Sequence, residues 1–257
     1  MQCMTEFQLS MEIAHESWRV PPSAIALSAK DIHLWRVDLD SLGTLGGSTE
    51  NSLSADEIAR ARRFHFDRDG ARFADTRIAL RNILARYVPF SPEDISFLYE
   101  RNGKPELAHS QNETGLRFNV SHSGGVAVVA VSLGRRVGVD VEQYRRVEFL
   151  EIASRYFSEQ EYRDLIALQT EELQKNFFAC WTRKEAFLKA MGEGIGTLLR
   201  QVSVTVAHSV APELLEFLSD PEELNRWTLG DIAVTHDYAA AMAFERGPAE
   251  VQHWIFS

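Results

Sequence analysis

Two periodicities divide the chain into strands and helices. Apolar and polar residues alternate along residues 32–39 and 137–142, and this period of two predicts strands. Apolar residues recur every three to four positions along residues 53–88 and again along 154–192, where the spacing predicts helices. Further strand-like runs lie between these regions and after residue 200. The order of strand, helices and strands therefore occurs twice, which predicts an α+β protein.

Two charged segments with aromatic centres indicate that the chain consists of two similar halves. Residues 62–73 and 154–165 have this character, and each begins a helical region. We place the two halves at residues 24–137 and 138–257. Residues 1–23 lack the basic and apolar regions of a signal peptide, so we interpret them as a leader that is poorly ordered or loosely docked.

Charge and composition exclude several classes of partner. The formal net charge of -10 argues against bulk binding of nucleic acid or anionic membrane, because both need a strong positive field. No apolar run approaches the roughly 18 residues of a membrane span. Cys3 and Cys180 are too few for a disulfide or zinc framework, which favours a reducing compartment. We therefore expect a cytoplasmic protein.

The strand at residues 137–142 ends in two acidic residues. Its alternation places three valines on one face and Gly138, Asp140 and Glu142 on the other, with Gly138 expected to leave open space beside the acids. The two carboxylates would stand roughly 7 Å apart by strand rise. Like charges so placed repel unless a cation lies between them, and Mg²⁺ is the natural candidate. A solvated strand end is the alternative.

A third carboxylate lies on the long helix predicted before residue 192. Glu185 falls at the edge of the apolar stripe of this helix, and Lys189 follows one turn later on the same side. A pair with this spacing is most often a surface ion pair. Beside a buried stripe, Glu185 could instead complete a Mg²⁺ site, and Lys189 could reach a phosphate.

Two loops offer groups that could bind phosphate. A tight turn at residues 102–103 presents Lys104, which taken alone is a surface lysine. Asn119, Ser121 and His122 precede a Gly-Gly pair whose backbone could cradle a phosphate. An ordinary loop between strands is the alternative for this second segment.

Four segments in this order resemble a known family. They read "GKP", "FNVSHSGG", "VGVDVE" and "FFACWTRKEAFLKAMGEG", and they are similar to the 4′-phosphopantetheinyl transferases of the larger, surfactin-synthetase-activating (Sfp) type. The resemblance covers about residues 54–200. It implies two similar α/β halves with a pseudo-two-fold relation, each with a small antiparallel sheet packed by helices, and an active site in the cleft between them. It also implies a monomer.

The resemblance implies a Mg²⁺-dependent transfer from coenzyme A to an apo acyl or peptidyl carrier protein. The serine hydroxyl of the carrier attacks the phosphorus that bears pantetheine, and adenosine 3′,5′-bisphosphate is released. The family's metal-binding acids fall on Asp140, Glu142 and Glu185. The lysine beside the pyrophosphate falls on Lys189, and Glu185 is also a candidate base. The positions that contact the coenzyme include Asp140, Glu185 and Lys189, with His122 expected near the 3′-phosphate. The other coenzyme positions are Arg60, Lys104, Asn119 and Ser121.

One position departs from the pattern of the family. Some members carry a second basic residue one turn before the position of Arg60, where this chain has Glu57. Either Arg62, Arg63 or Arg72 substitutes for that residue, or coenzyme A is held less tightly at this end.

Two alternatives to a transferase remain. A serine hydrolase would use Ser121 or Ser123 with His122 and Asp140, but the chain lacks the G-x-S-x-G sequence, and adjacent Ser and His side chains rarely form a working pair. A non-catalytic module that binds coenzyme A or a carrier is disfavoured by the three acids together with Lys189. Fatty-acid, polyketide and nonribosomal-peptide carriers all stay open as partners, as does the use of acyl-coenzyme A.

Overall fold

The computed structural model describes residues 17–42, 52–101, 103–193 and 195–257. Most of the predicted leader lies outside the described residues, as does Asn102 of the turn predicted before Lys104.

The helices and strands follow the predicted order. The first group comprises β1 Asp31–Asp38, α1 Leu39–Leu42, α2 Ala55–Ala61, α3 Asp67–Leu84, β2 Phe97–Tyr99, β3 Pro105–Leu107, β4 Leu116–Ser123 and β5 Val126–Leu133. The second group comprises β6 Val137–Gln143, α4 Phe149–Tyr156, α5 Glu159–Ile166, α6 Thr170–Met191, α7 Ile195–Leu198, β7 Val202–Val204, β8 Leu214–Phe217, β9 Trp227–Asp231, β10 Tyr238–Glu245 and β11 Glu250–Phe256. The prediction of an α+β fold is confirmed.

The chain divides into two compact units, and the last strand returns to the first of them. The N-terminal unit comprises Trp18–Gly134 and Ala249–Ser257, and the C-terminal unit is built on Arg135–Pro248. The predicted halves placed the last segment with the second half. It lies in the N-terminal unit because β11 pairs in parallel along the whole of β1, from Asp31 opposite Glu250 to Val37 opposite Phe256.

The N-terminal unit is a four-stranded sheet with a helix packed against it. The strand order is β11-β1-β5-β4, and every pair except β11-β1 is antiparallel. Leu80 and Ile83 of α3 share a core with Trp35 of β1 and Val129 of β5. Helix α2 begins directly after Ser54, whose backbone N–H donates to Glu57 Oε2 at 2.9 Å. The capping-box spacing predicted this helix start, and the prediction is confirmed.

The C-terminal unit is built around the long helix α6. Strands β6, β10 and β9 form an antiparallel sheet in that order, and β7 pairs with β8. Aromatic side chains of α6, including Phe177, Phe178 and Phe187, form the core together with Trp227 of β9. Among the described helices, none is both long and apolar enough to cross a bilayer.

The backbone of α6 lies directly against β6 at Gly138. A Cβ atom at this position would come within 2.9 Å of the Ala190 Cα atom and still closer to the Ala186 carbonyl oxygen. The expectation that Gly138 leaves open space is therefore wrong, because the helix backbone fills that space. Opposite Gly138 on β10 lies Ala243, so small side chains on both strands permit the close approach.

We expect Gly138→Ala to destabilise the protein by about 2 kcal/mol or more, because the added methyl group meets helix backbone that cannot move alone. The matched control is Gly196→Ala, since a Cβ atom at Gly196 of α7 meets nothing within 4 Å. Urea denaturation of both variants measures the change in the free energy of unfolding. Equal stabilities for the two variants would contradict the close packing of α6 on β6.

Candidate active site

Strand β6 carries two acidic side chains on the face that packs against α6. Asp140 lies opposite Ala241 of β10, and Glu142 lies opposite Ala239. Both alanines belong to the core that α6 forms. The carboxylates therefore emerge from a face that is otherwise made of glycine and alanine, and this places Asp140, of which only 3% is exposed, at the side of the helix.

Lys189 of α6 lies between two carboxylates. Its Nζ atom donates to Asp140 Oδ1 at 2.6 Å and lies 3.7 Å from Glu185 Oε2. The side chain of Lys189 is 20% exposed, whereas that of Glu185 is 9% exposed. The pair predicted from its spacing is thus not a solvated surface pair: it is partly buried and shared with a strand residue.

Burial and neighbouring charges shift the pKa values of Glu185 and Lys189. Burial raises the pKa of the Glu185 carboxyl to about 7, and the negative charges of Asp140 and Glu142 add to the rise while Lys189 opposes it. Burial alone would lower the pKa of Lys189, but Asp140 and Glu185 outweigh it and raise that pKa above its ordinary value. The arrangement therefore keeps the lysine charged and leaves Glu185 able to exchange a proton near neutral pH.

Glu142 pairs with a residue that was not among the predicted site residues. Arg145 Nη1 donates to Glu142 Oε2 at 2.6 Å, and the guanidinium lies 5.6 Å from the centre of the Phe178 ring. Only the spacing of three residues between Glu142 and Arg145 could have suggested this pairing, and such a spacing is a weak signal. The acidic side chains thus contact Lys189 of the helix and Arg145 of the loop after β6.

The acidic residues fit a magnesium site in their chemistry. Within the residues that the structure describes, no three His, Cys, Asp or Glu side chains are gathered closely enough to hold a metal ion in their present positions. The donor set of Asp140, Glu142 and Glu185 consists only of carboxylate oxygens, which Mg²⁺ prefers, and Mg²⁺ needs few protein ligands because it keeps several waters. Burial raises the pKa of Glu185, and the negative charges of Asp140 and Glu142 add to the rise; a divalent cation would relieve this crowding of charge.

Two further charged residues of α6 have structural contacts. Arg183 is fully buried and forms a two-point ion pair with Asp231 at 2.8 and 2.5 Å. Lys184 is also fully buried and donates to Glu161 and to the Val202 carbonyl oxygen. The charged residues in this part of α6 therefore divide by direction on the helix. Arg183 and Lys184 hold the core together, whereas Glu185 and Lys189 lie on the side towards β6.

Lys104 lies directly after a hairpin turn in the N-terminal unit. The Glu100 N–H donates to the Lys104 carbonyl oxygen at 2.9 Å, and the Gly103 N–H donates to the Glu100 carbonyl oxygen at 2.8 Å. Gly103 has a φ of 84°, a conformation that glycine adopts at little cost. The turn chemistry that predicted this presentation of Lys104 is therefore observed on the described side of the turn.

Asn119, Ser121 and His122 lie in a strand rather than in a loop. All three belong to β4, where Ser121 pairs with Val128 and His122 with Ala127 of β5. Because side chains alternate along a strand, Asn119 and Ser121 share one face and His122 lies on the other. This division does not support a serine hydrolase that pairs Ser121 with His122.

Arg60 and Glu57 share helix α2 but differ in their surroundings. Arg60 is exposed in the last turn, with its guanidinium 5.1 Å from the centre of the Phe73 ring. The side chain of Glu57 is fully buried and pairs with Arg77 at 2.5 Å and with Arg81 at 2.8 Å. Glu57, the residue that departs from the family pattern, thus belongs to the interior of the N-terminal unit.

Two family models match adjoining parts of the chain. Residues 136–243 match the model of the 4′-phosphopantetheinyl transferase superfamily. Residues 48–134 match the model of the N-terminal domain of 4′-phosphopantetheinyl transferases. The border between these matches falls at the border between the two units.

Curated relatives give the same assignment. The 4′-phosphopantetheinyl transferase HetI of Nostoc sp. strain PCC 7120 is 42% identical over 183 residues, which cover 71% of this chain and 77% of that protein. A putative 4′-phosphopantetheinyl transferase of Synechocystis sp. strain PCC 6803 is 37% identical, over 69% of this chain and 70% of that protein. The 4′-phosphopantetheinyl transferase Sfp of Bacillus subtilis is 32% identical, over 59% of this chain and 66% of that protein. The resemblance predicted from four short segments is confirmed, and the chain belongs to the 4′-phosphopantetheinyl transferase superfamily.

Proposed function

We propose that this protein transfers the 4′-phosphopantetheine arm of coenzyme A to a serine of an apo acyl or peptidyl carrier protein. Family membership supports the reaction class. The observation that carries the proposal is the group of Asp140, Glu185 and Lys189, in which a charged lysine and crowded carboxylates are held on a buried strand and a packed helix. Transfer of a phosphoryl-type group needs mainly positioning and neutralisation of charge, which this group can supply.

The acidic residues would hold Mg²⁺. Asp140, Glu142 and Glu185 are the proposed ligands, because they combine the right oxygen donors with mutual repulsion. When bound, the ion would neutralise negative charge on the pyrophosphate and stabilise the charge that develops on the leaving oxygen.

Two residues of α6 are proposed to accept the serine proton and to stabilise the leaving group. Glu185 is the proposed base for the carrier serine, since burial favours the protonated form of its carboxyl. The serine oxygen then bonds to the phosphorus that bears pantetheine, and the bond from this phosphorus to the oxygen of the adenosine 3′,5′-bisphosphate group breaks. Lys189 keeps its positive charge throughout and stabilises the departing phosphate.

The nucleotide end of coenzyme A is assigned to the N-terminal unit. Arg60 is exposed and Lys104 lies at a hairpin turn, so both can reach a ligand from outside the core. The face of β4 that carries Asn119 and Ser121 is proposed to contact the coenzyme, and His122 is proposed to contact the 3′-phosphate from the other face. A monomer and a reducing, cytoplasmic location stay predictions that rest on the family and on the cysteine content.

The reaction is tested by mass spectrometry of an apo carrier protein incubated with coenzyme A and Mg²⁺. We expect the carrier to gain one phosphopantetheine arm. Asp140→Ala and Glu185→Ala should each lower the rate by at least about a hundredfold at saturating Mg²⁺, because loss of a direct ligand exceeds the usual loss from an outer partner. Glu151→Ala is the control, since its exposed carboxylate pairs only with Arg155 among the described contacts. Near-normal rates in either site variant, with circular dichroism unchanged, would remove the acids from the mechanism.

The coenzyme contacts are tested by steady-state kinetics. Replacing Lys104, Arg60 or His122 by alanine should raise the KM for coenzyme A about tenfold or more while kcat changes little, because these groups bind the ground state and the transition state alike. His109→Ala is the control, since His109 is exposed on the same unit and outside the proposed contacts. 3′-Dephospho-coenzyme A should be the poorer substrate, and His122→Ala should reduce that preference. Equal use of both coenzymes by the unmodified protein would exclude this role of His122.

The raised pKa of Glu185 predicts a pH-dependent effect of Glu185→Gln on stability in the absence of coenzyme and Mg²⁺. Between the ordinary pKa of 4.5 and the folded value of about 7, the folded protein binds more protons at Glu185 than the unfolded chain, so this carboxyl lowers stability as pH rises through that window. Glu185→Gln removes the penalty. The free energy of unfolding of the variant, relative to that of the unmodified protein, should therefore rise by about 2 kcal/mol from pH 5 to pH 8. Urea denaturation with EDTA measures the difference, and a difference that stays constant with pH would contradict the assignment.

A further inference from the structure

Glu57 is a buried carboxylate that organises three parts of the N-terminal unit. Its Oε1 atom accepts from Arg77 Nε at 2.5 Å, and its Oε2 atom accepts from Arg81 Nε and from the Ser54 backbone N–H, both at 2.9 Å. Burial alone would raise the pKa of Glu57, but these partners outweigh it and hold the pKa below its ordinary value. The carboxylate is therefore ionised and shared between two guanidinium groups of α3.

Arg81 extends this contact to the segment before β2. Its Nη1 atom donates to the carbonyl oxygens of Pro92 and Ile95 at 2.9 and 2.7 Å. Its guanidinium also lies 5.1 Å from the centre of the Phe97 ring. Arg81 thus fixes the backbone where the chain enters the β2–β3 hairpin.

Arg77 extends the contact to the hairpin itself. Its guanidinium lies 4.3 Å from the centre of the Phe97 ring, which is a close cation–π contact. Its Nη2 atom donates to the Tyr99 hydroxyl at 3.3 Å. Phe97 and Tyr99 are the first and last residues of β2, so Arg77 contacts both ends of this strand.

The hairpin needs such support because it is very small. Strands β2 and β3 have three residues each and form a two-stranded sheet by themselves. An isolated hairpin of this size is marginal in water, so its position depends on what holds it from outside. Lys104 lies directly before β3, and any shift of the hairpin moves Lys104 with it.

Helix α2 depends on the same carboxylate. It has seven residues, which is too short for a helix to be stable alone. Glu57 joins it to α3 through the two arginines, and Arg60 follows Glu57 by one turn. The orientation of Arg60 is therefore tied to the same ion-pair network as the position of Lys104.

We infer that Glu57 is a positioning residue for the nucleotide end of coenzyme A, which acts by holding Arg60 and Lys104 in one arrangement through Arg77 and Arg81. The inference rests on the proposed coenzyme contacts of Arg60 and Lys104. The inference gives a role to the acidic residue that departs from the family pattern. Glu57 does not itself contact the coenzyme but holds in place the basic residues that do. Arg72, one of the residues considered as a substitute, pairs instead with Asp40 at 2.9 Å.

The test compares Glu57→Gln with Glu161→Gln. Glu161 is a matched control because it is also a buried acid in a capping box, with Ser158 as its partner, and it also pairs with a buried cation, Lys184. Both variants lose a buried ion pair, but only Glu57→Gln should raise the KM for coenzyme A, by about fivefold or more, while kcat and the KM for the carrier stay within about twofold. A merely structural loss would give both variants the same kinetic changes.

A double variant separates positioning from direct contact. Because Glu57 acts through Lys104 and Arg60, adding Glu57→Gln to Lys104→Ala should raise the KM for coenzyme A by clearly less than the product of the two single effects. Multiplicative effects, or a KM for Glu57→Gln no higher than that of Glu161→Gln, would overturn the inference. If Lys104→Ala and Arg60→Ala leave the KM unchanged, the proposed coenzyme contacts fail as well.

Two milder variants keep the test decisive if Glu57→Gln does not fold. Arg77→Lys keeps the charge but loses the planar contact with Phe97, and Tyr99→Phe removes only a hydroxyl from a side chain that is 41% exposed. Arg77→Lys should raise the KM for coenzyme A with kcat unchanged, and Tyr99→Phe should do so to a smaller extent. A folded Arg77→Lys protein with an unchanged KM would also overturn the inference.

Discussion

The close approach of helix α6 to strand β6 determines where the acidic residues of the C-terminal unit lie. At Gly138 the helix backbone occupies the volume in which any other residue would place a Cβ atom. With the helix held there, Lys189 meets Asp140 across the contact, and Glu185 is buried one turn before it. The raised pKa of Glu185 follows from this packing, because a helix further from the strand would let water reach the carboxylates.

Charge inside this protein is placed in pairs and small networks. Arg183 with Asp231 and Lys184 with Glu161 tie α6 to the remainder of its unit. A buried charge that loses its partner is strongly unfavourable, so such pairs fix one arrangement of the elements that carry them. Lys189 lies on the same helix but is not paired with a single acid. Its neighbours include more negative charge than one ammonium group can neutralise. This excess of acid distinguishes the surroundings of Lys189 from those of Arg183 and Lys184.

Local patterns in the sequence were sufficient for most elements and for the shared face of the two acids on β6. Alternation in β6 predicted that Asp140 and Glu142 share a face, and the capping-box spacing predicted the start of α2 after Ser54. Contacts between distant parts of the chain were not predictable in this way. The interior position of Glu57 and the strand location of Ser121 each depend on packing that no short window of sequence contains.

The parallel pairing of β11 with β1 has a consequence for how the chain folds during synthesis. Strand β1 lies between β5 and β11, and Ile32 and Leu34 in it are fully buried in the finished protein. Until residues 250–256 leave the ribosome, one edge of β1 has no neighbour in its sheet, although the remainder of the N-terminal unit was made more than a hundred residues earlier. An open strand edge invites pairing with other chains. The nascent protein therefore passes through an interval in which association with other nascent chains competes with completion of its first sheet, and slower translation of the C-terminal unit would lengthen that interval.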